Sequence, residues 1–156
     1  MLKQKVTLIF LIRLVHNILL AHCQVPCGVY DDAMRIIKIN EDFETIKKSM
    51  IKINDLSNKS DSLSRNQLIR WVNTKDRHAS NIQKIVTDYF LTQRIKESNA
   101  NYIKQVTTLH QLLIISMKCK QTVDTENVKL GLNLIQLFIK MYFDTHGIEH
   151  LNKISK

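Results

Sequence analysis

Glycine and proline are almost missing from this chain: three glycines and one proline in 156 residues. A sheet protein needs both at its many turns, so their scarcity points to long helices joined by short connections. Aromatic residues make up only 6% and no basic block exceeds a few residues. Nucleic-acid binding by stacking and phosphate contact is therefore a weak reading. There is no internal repeat, no low-complexity linker and no second pair of cysteines. Zinc sites normally take four ligands, so a zinc-ribbon framework is disfavoured as well. The length suits one domain with a single filled core. The formal net charge of +9 fits either a solvated lysine-rich surface or an anionic partner.

The first 21 residues differ from the rest. Lys3 and Lys5 make a positive start, 6–20 is mostly apolar, and the run ends Leu19-Leu20-Ala21. This is the layout of a leader cleaved after a small residue. Arg13, His16 and Asn17 break the run into fewer apolar positions than the ~20 that a spanning helix needs. Cleavage after Ala21 would remove Lys3, Lys5 and Arg13 and lower the net charge to +6.

From Tyr30 onward the pattern is helical. Ile36, Ile39, Phe43, Ile46, Met50 and Ile53 recur at steps of three and four, one apolar face of a helix. Asp31 or Asp32 can cap its first turn. A polar loop over 54–61 precedes a second helix over 63–96, with Ile69, Val72, Ala79, Ile82, Val86 and Tyr89 expected to face inward. A break at 97–101 leads to a third helix whose stripe is Ile103, Val106, Leu109, Leu113 and Met117. Residues 122–124 offer a cap for the fourth, which carries Leu134, Ile135, Phe138, Met141 and Tyr142 and is expected to end at Gly147. The expected fold is all-α, an antiparallel up-and-down four-helix bundle over 31–145 with a polar tail at 146–156. Trp71 reads as core or as a subunit contact, His78 and His110 as ordinary packing or surface histidines, and Cys119 as a half-buried bystander. His146 and His150 share a helical face if the helix persists, but Gly147 lies between them.

The sole proline lies in His22-Cys-Gln-Val-Pro-Cys-Gly-Val-Tyr30. Cleavage after Ala21 would free the α-amine of His22 beside its imidazole, followed by the amide and thiolate of Cys23. The amine, that amide nitrogen and the sulfurs of Cys23 and Cys27 then form a tetragonal nitrogen and sulfur set that suits divalent nickel or copper, with the imidazole as a possible axial fifth ligand. Pro26 bends the segment and Gly28 lets it turn closely. The alternative for an exported chain is a Cys23–Cys27 disulfide, with Cys119 left single.

This nine-residue stretch resembles the nickel hook of nickel-containing superoxide dismutases, whose mature chains begin His-Cys-x-x-Pro-Cys-Gly-x-Tyr. His22, Cys23, Pro26, Cys27, Gly28 and Tyr30 meet every fixed position. Asp88-Tyr89-Phe90 resembles a tripeptide near the hook in that family, and the likeness in fold covers roughly 22–145. The resemblance implies a homohexamer of helical bundles that consumes superoxide with one nickel ion per subunit. It implies that His22 supplies amine and imidazole, Cys23 amide and thiolate, and Cys27 a second thiolate. Tyr30 is implied to stand over the open face of the metal, Tyr89 to support it from the bundle, and Val25–Pro26 to be cis.

Four positions depart from the family pattern. Leu91 replaces a lysine thought to attract the anion, and Arg94 or Lys96 a turn further on could supply that charge. Ile36-Ile37-Lys38 stands where an acidic residue usually orients the histidine ring. Gln24 replaces a common aspartate, and Asp32 lies where a proline often follows. These bear on rate more than on the identity of the metal. Expected placement is export to the periplasm or outside after leader removal, with no membrane attachment then, or the cytoplasm with a dedicated processing protease. The competing readings are a non-catalytic nickel or copper binder, and a helical interaction protein stapled by a disulfide or held by an uncleaved anchor.

Overall fold

The computed structural model describes residues 31–155, and the chain over that span is all-helical. Helix α1 runs Asp32–Leu56 and α2 runs Ser62–Lys84, continuing without interruption as a π-helix over Ile85–Arg94. Helices α3 (Tyr102–Gln121), α4 (Glu126–Tyr142) and α5 (Thr145–Ile154) follow. The leader expected over 1–21 and the hook over 22–30 lie outside the described residues.

Local chemistry sets the helix starts. The Asp31 carboxylate accepts from the backbone N–H groups of Ala33 and Met34, Asp61 caps α2 through Ser64 N–H, and Asp144 caps α5 through Gly147 N–H. The connections are short, so consecutive helices must return antiparallel, and the cross-helix bonds show that they do. The start of α1 meets the π-helix through Asp32 and Tyr89, while its middle meets α2 through Asp42 and His78. Lys75 of α2 reaches the last carbonyls of α3, and Gln105 at the start of α3 donates to Met141 O at the end of α4. The four long helices thus run up and down around one core.

That core contains the expected α1 seam of Ile36, Ile39, Phe43, Ile46 and Met50, packed on Ala79, Ile82, Val86, Phe90, Leu109, Leu112, Ile135 and Phe138. Gly131 makes room where α4 crosses α1: a Cβ there would stand 2.3 Å from Phe43 Cζ.

Several sequence expectations need correction. Ile69 and Ile103, expected inside, are 62% and 71% exposed, and Val72 and Met117 are exposed with them. On α3 the inward face is Gln105, Thr108, Leu109, Leu112, Ser116 and Cys119 instead. Periodicity alone could not choose it, because apolar residues lie on more than one side of that helix. The polar members can be buried because the Thr108 and Ser116 hydroxyls donate to Lys104 O and Leu112 O one turn back. The second helix was expected to be α-helical to residue 96, whereas its last ten residues are π and it ends at Arg94. Gly147 does not end the fourth helix. That helix stops at Tyr142, Gly147 lies in the first turn of α5, and the segment expected to be a polar tail packs on α1 with Leu151 buried. Trp71 is half-buried and Cys119 is fully buried.

No helix among the described residues is long and apolar enough to cross a membrane.

Candidate active site

Of the residues that the sequence singles out for chemistry, His22, Cys23, Cys27 and Tyr30 lie outside the described residues. Tyr89 is described, and it sits in an organised cluster at the start of α1.

The organiser is Asp32. Its Oδ1 accepts the hydroxyl proton of Tyr89, while Oδ2 accepts from the Tyr142 hydroxyl at 2.7 Å and from Arg94 Nη2 at 2.6 Å. Three donors from two other helices converge on one carboxylate in the first turn of a helix, where the exposed N–H groups of that turn also favour negative charge. Tyr89 is 7% exposed. The guanidinium carbons of Arg35 and Arg94 lie 5.3 and 5.7 Å from its ring centroid, within cation–π range.

The π-helix explains how Tyr89 and Arg94 both arrive there. They are five residues apart, and in an α-helix they would point about 140° apart around the axis. Bonds from i+5 to i bring such residues to one side instead. Ile95 N–H closes this pattern on Phe90 O at 3.0 Å, and the side chains of Thr92 and Gln93 follow the same step onto Thr87 O and Asp88 O. Behind the cluster an aromatic layer fixes both tyrosines. Tyr89 meets Phe90 edge-on at 5.2 Å, Phe90 meets Phe138 at 5.1 Å, and Phe138 stacks on Tyr142 at 5.0 Å.

Electrostatics follow from that geometry. Burial raises the pKa of the Tyr89 and Tyr142 hydroxyls well above the ordinary tyrosine value, and hydrogen bonding to the charged Asp32 adds to it. Arg94 is raised chiefly by its bond to Asp32. Next along the chain, Asp31 accepts from His150 Nε2 on α5. Burial alone would push the Asp31 carboxyl up, but the His150 bond and the two backbone N–H bonds outweigh it and hold the pKa below the ordinary value.

Other candidates fall differently. His150 bonds to Asp31 across helices, and His146 is exposed. Leu91 packs against the core and Lys96 lies exposed beyond the π-helix, so of Arg94 and Lys96 it is Arg94 that reaches Tyr89, where Arg35 also lies. Lys38 makes ion pairs with Glu41 and with the fully buried Asp42, both at 3.4 Å, and His78 Nδ1–H donates to Asp42 at 2.5 Å. His78, expected to be a packing or surface residue, thus ties α2 to α1. Cys119 is a free thiol, and its burial pushes the pKa up to about 11 against the pull of the Lys75 ammonium.

Sequence reasoning overlooked Arg35, and it read Asp32 only as a possible cap, Tyr142 only as core and His150 only beside His146. No local signal marked them, because the Tyr89–Arg94 interval of five gains meaning only within the π turn.

Among the described residues no group of three or more histidine, cysteine or acidic side chains could hold a metal ion. The nitrogen and thiolate set expected at His22, Cys23 and Cys27 lies outside the described residues. The described residues form a helical bundle with a tyrosine–carboxylate cluster at the start of α1. The family model of the nickel-containing superoxide dismutases matches residues 17–146, and the chain belongs to that family. It is accordingly an oxidoreductase that uses nickel and acts on superoxide. No curated protein and no solved structure matches it.

Proposed function

We propose that the protein works as a nickel superoxide dismutase after its chain has been cut to begin at His22. The hook residues His22, Cys23 and Cys27 hold the metal through the His22 amine and imidazole, the Cys23 amide nitrogen and thiolate, and the Cys27 thiolate. The observation that carries this reading is the complete hook pattern at 22–30 within the stretch that the family matches. Nickel supplies one-electron chemistry, so that two superoxide anions and two protons give dioxygen and hydrogen peroxide. The anionic sulfur and amide donors make its higher oxidation state accessible, and Tyr30 limits access to it. Tyr89 is the bundle residue assigned to the reaction, its ring fixed by the aromatic layer and its hydroxyl bonded to Asp32. A net charge of +6 after cleavage favours encounter with an anion.

Leader removal by export or by a dedicated protease is part of this proposal, because a blocked His22 amine cannot be a ligand. So is assembly into a homohexamer. Exposed Ile114, Leu130 and Leu137 beside a groove of about 390 Å³ between α3 and α4 are apolar surface that self-association would cover. Sedimentation of the processed chain reads the subunit number.

The test compares nickel-loaded protein beginning at His22 with the same chain carrying one extra residue before it. Fast nickel-dependent superoxide decay only with the free His22 amine is expected. Bound nickel without decay above background in either chain would refute the dismutase reading and leave a metal-binding protein.

A further inference from the structure

The outer face of α4 carries two leucines that the fold leaves in water. Glu126, Leu130, Asn133, Leu137 and Lys140 follow one another at steps of four, three, four and three, so they form one stripe along the helix, and all five are exposed. Leu130 and Leu137 are 49% and 47% exposed. They edge the groove of about 390 Å³ between α3 and α4, whose opposite wall includes Ile114 and Ile115.

This stripe is apolar toward its middle and oppositely charged at its ends, which makes it complementary to its own reverse. Asn133 is the midpoint: Glu126 lies seven residues before it and Lys140 seven after, each ~10 Å away along the axis. A second α4 laid antiparallel about a two-fold axis at Asn133 therefore brings Glu126 of each copy beside Lys140 of the other. The leucines of each copy then lie against the groove edge of the other. The two Asn133 amides meet at the axis, where each can both donate and accept. A parallel arrangement would instead set Glu126 on Glu126 and Lys140 on Lys140. Glu126 already meets Lys129 of its own helix at 3.4 Å, but both side chains are largely exposed, and such a pair contributes little that a contact between copies would forfeit. Lys118 and Lys129 flank the stripe as exposed residues, so their ammoniums stay in water at its rim.

We propose that this face of α4 is a two-fold docking surface for a second copy of this chain, with Glu126 of each copy paired to Lys140 of the other around a leucine-lined centre. Apolar burial supplies the affinity, and the ion pairs set direction and register. The hexamer reading supplies a subunit number, whereas this contact supplies an interface and does not depend on dismutation.

Sedimentation of the nickel-loaded chain beginning at His22, across a dilution series, tests it, with circular dichroism to show that each variant is folded. The unmodified chain should dissociate on dilution to a species of half its mass. Glu126→Lys and Lys140→Glu each set like charges opposite one another twice per contact, and each should raise the midpoint of that dissociation about tenfold or more. An equimolar mixture of the two variants should regain the unmodified midpoint, because each mixed contact has one native pair and one pair with its charges exchanged. Leu130→Gln combined with Leu137→Gln should raise the midpoint as well, and neither charge variant should rescue it.

Unchanged midpoints in both single reversals, or a mixture that stays as weak as its components, overturn the proposal. Should either reversal fail to fold, the double leucine variant decides, and an unshifted midpoint overturns it. A hexamer indifferent to all these changes keeps its subunit number and overturns only the α4 contact. A monomer at every concentration overturns both and leaves the groove to a different partner. Absence of nickel-dependent superoxide decay in the unmodified chain, measured on the same samples, refutes the dismutase reading and leaves the α4 contact to be judged by mass.

Discussion

Replacing Lys75 with methionine should unfold this protein several degrees earlier. The lysine is 3% exposed, and its ammonium donates to Cys119 O at 2.7 Å, Lys120 O at 2.5 Å and Asp76 Oδ1 at 2.9 Å. Two of these acceptors are among the last carbonyls of α3, which have no partner within their own helix. Methionine keeps the volume and the apolar stem, so the change isolates the charge and its bonds. It spares the cost of burying an ammonium but leaves the Cys119 carbonyl buried without a donor, at about 1–3 kcal/mol. The Lys120 carbonyl and the exposed Asp76 carboxylate can turn to water and add less. Loss of a cation at the negative end of α3 contributes a further ~0.3–1 kcal/mol. The balance is a destabilisation of about 2 kcal/mol, or a fall in Tm of roughly 4–8 °C for a chain of this size. Urea unfolding followed by circular dichroism measures it, with exposed Lys118→Met as the control and an unchanged m-value as the check on two-state behaviour. A difference from the control below about 0.5 kcal/mol, the ordinary scatter of surface changes, would refute the argument that Lys75 closes the end of α3.

Gly131→Ala should destabilise the wild type, because the added Cβ meets the buried Phe43 ring and overpacking typically costs about 1–3 kcal/mol against a helix gain of ~1 kcal/mol. In a Phe43→Leu background the same change should become stabilising, and additivity in that double-mutant cycle would contradict the close approach. The Asp31 carboxyl is depressed in the folded state, so its contribution is complete above its unfolded value near 3.8 and is lost as pH falls through the lower folded value. The Tm gap between wild type and Asp31→Asn should therefore be constant near neutrality and close below about pH 4, and a gap that persists at lower pH would contradict this. Cys119, with its thiol pushed up to about 11, should react with a thiol reagent at pH 8 on the order of a hundredfold more slowly in the folded chain than after unfolding. Equal rates would mean that the thiol is neither buried nor protonated as the structure has it. The rate is read by mass spectrometry, which assigns the site among the three cysteines.

Local rules made much of this protein legible in its sequence. The scarcity of glycine and proline announced helices, the three-and-four spacing from Ile36 to Ile53 drew the buried face of α1, and Asp31 capped it as expected. These features depend on residues within a turn or two of one another, so their physics is complete in a short stretch of chain. The hook pattern at 22–30 is likewise a local reading, since its expected donors are consecutive or nearly so, and it lies outside the described residues. The inward face of α3 was not, because burial of Gln105 depends on the Met141 carbonyl of another helix. Nor was α5, whose docking on α1 rests on Leu151 and on His150 meeting Asp31, far away in sequence. Above all, only the tertiary structure decided the Tyr89 cluster. An interval of five residues carries no signal until a π turn puts its ends on one side, and a carboxylate at the start of α1 becomes an organiser only when three other side chains are brought to it. Periodicity specifies which face of a helix is apolar. Packing between helices specifies which polar groups share a bond.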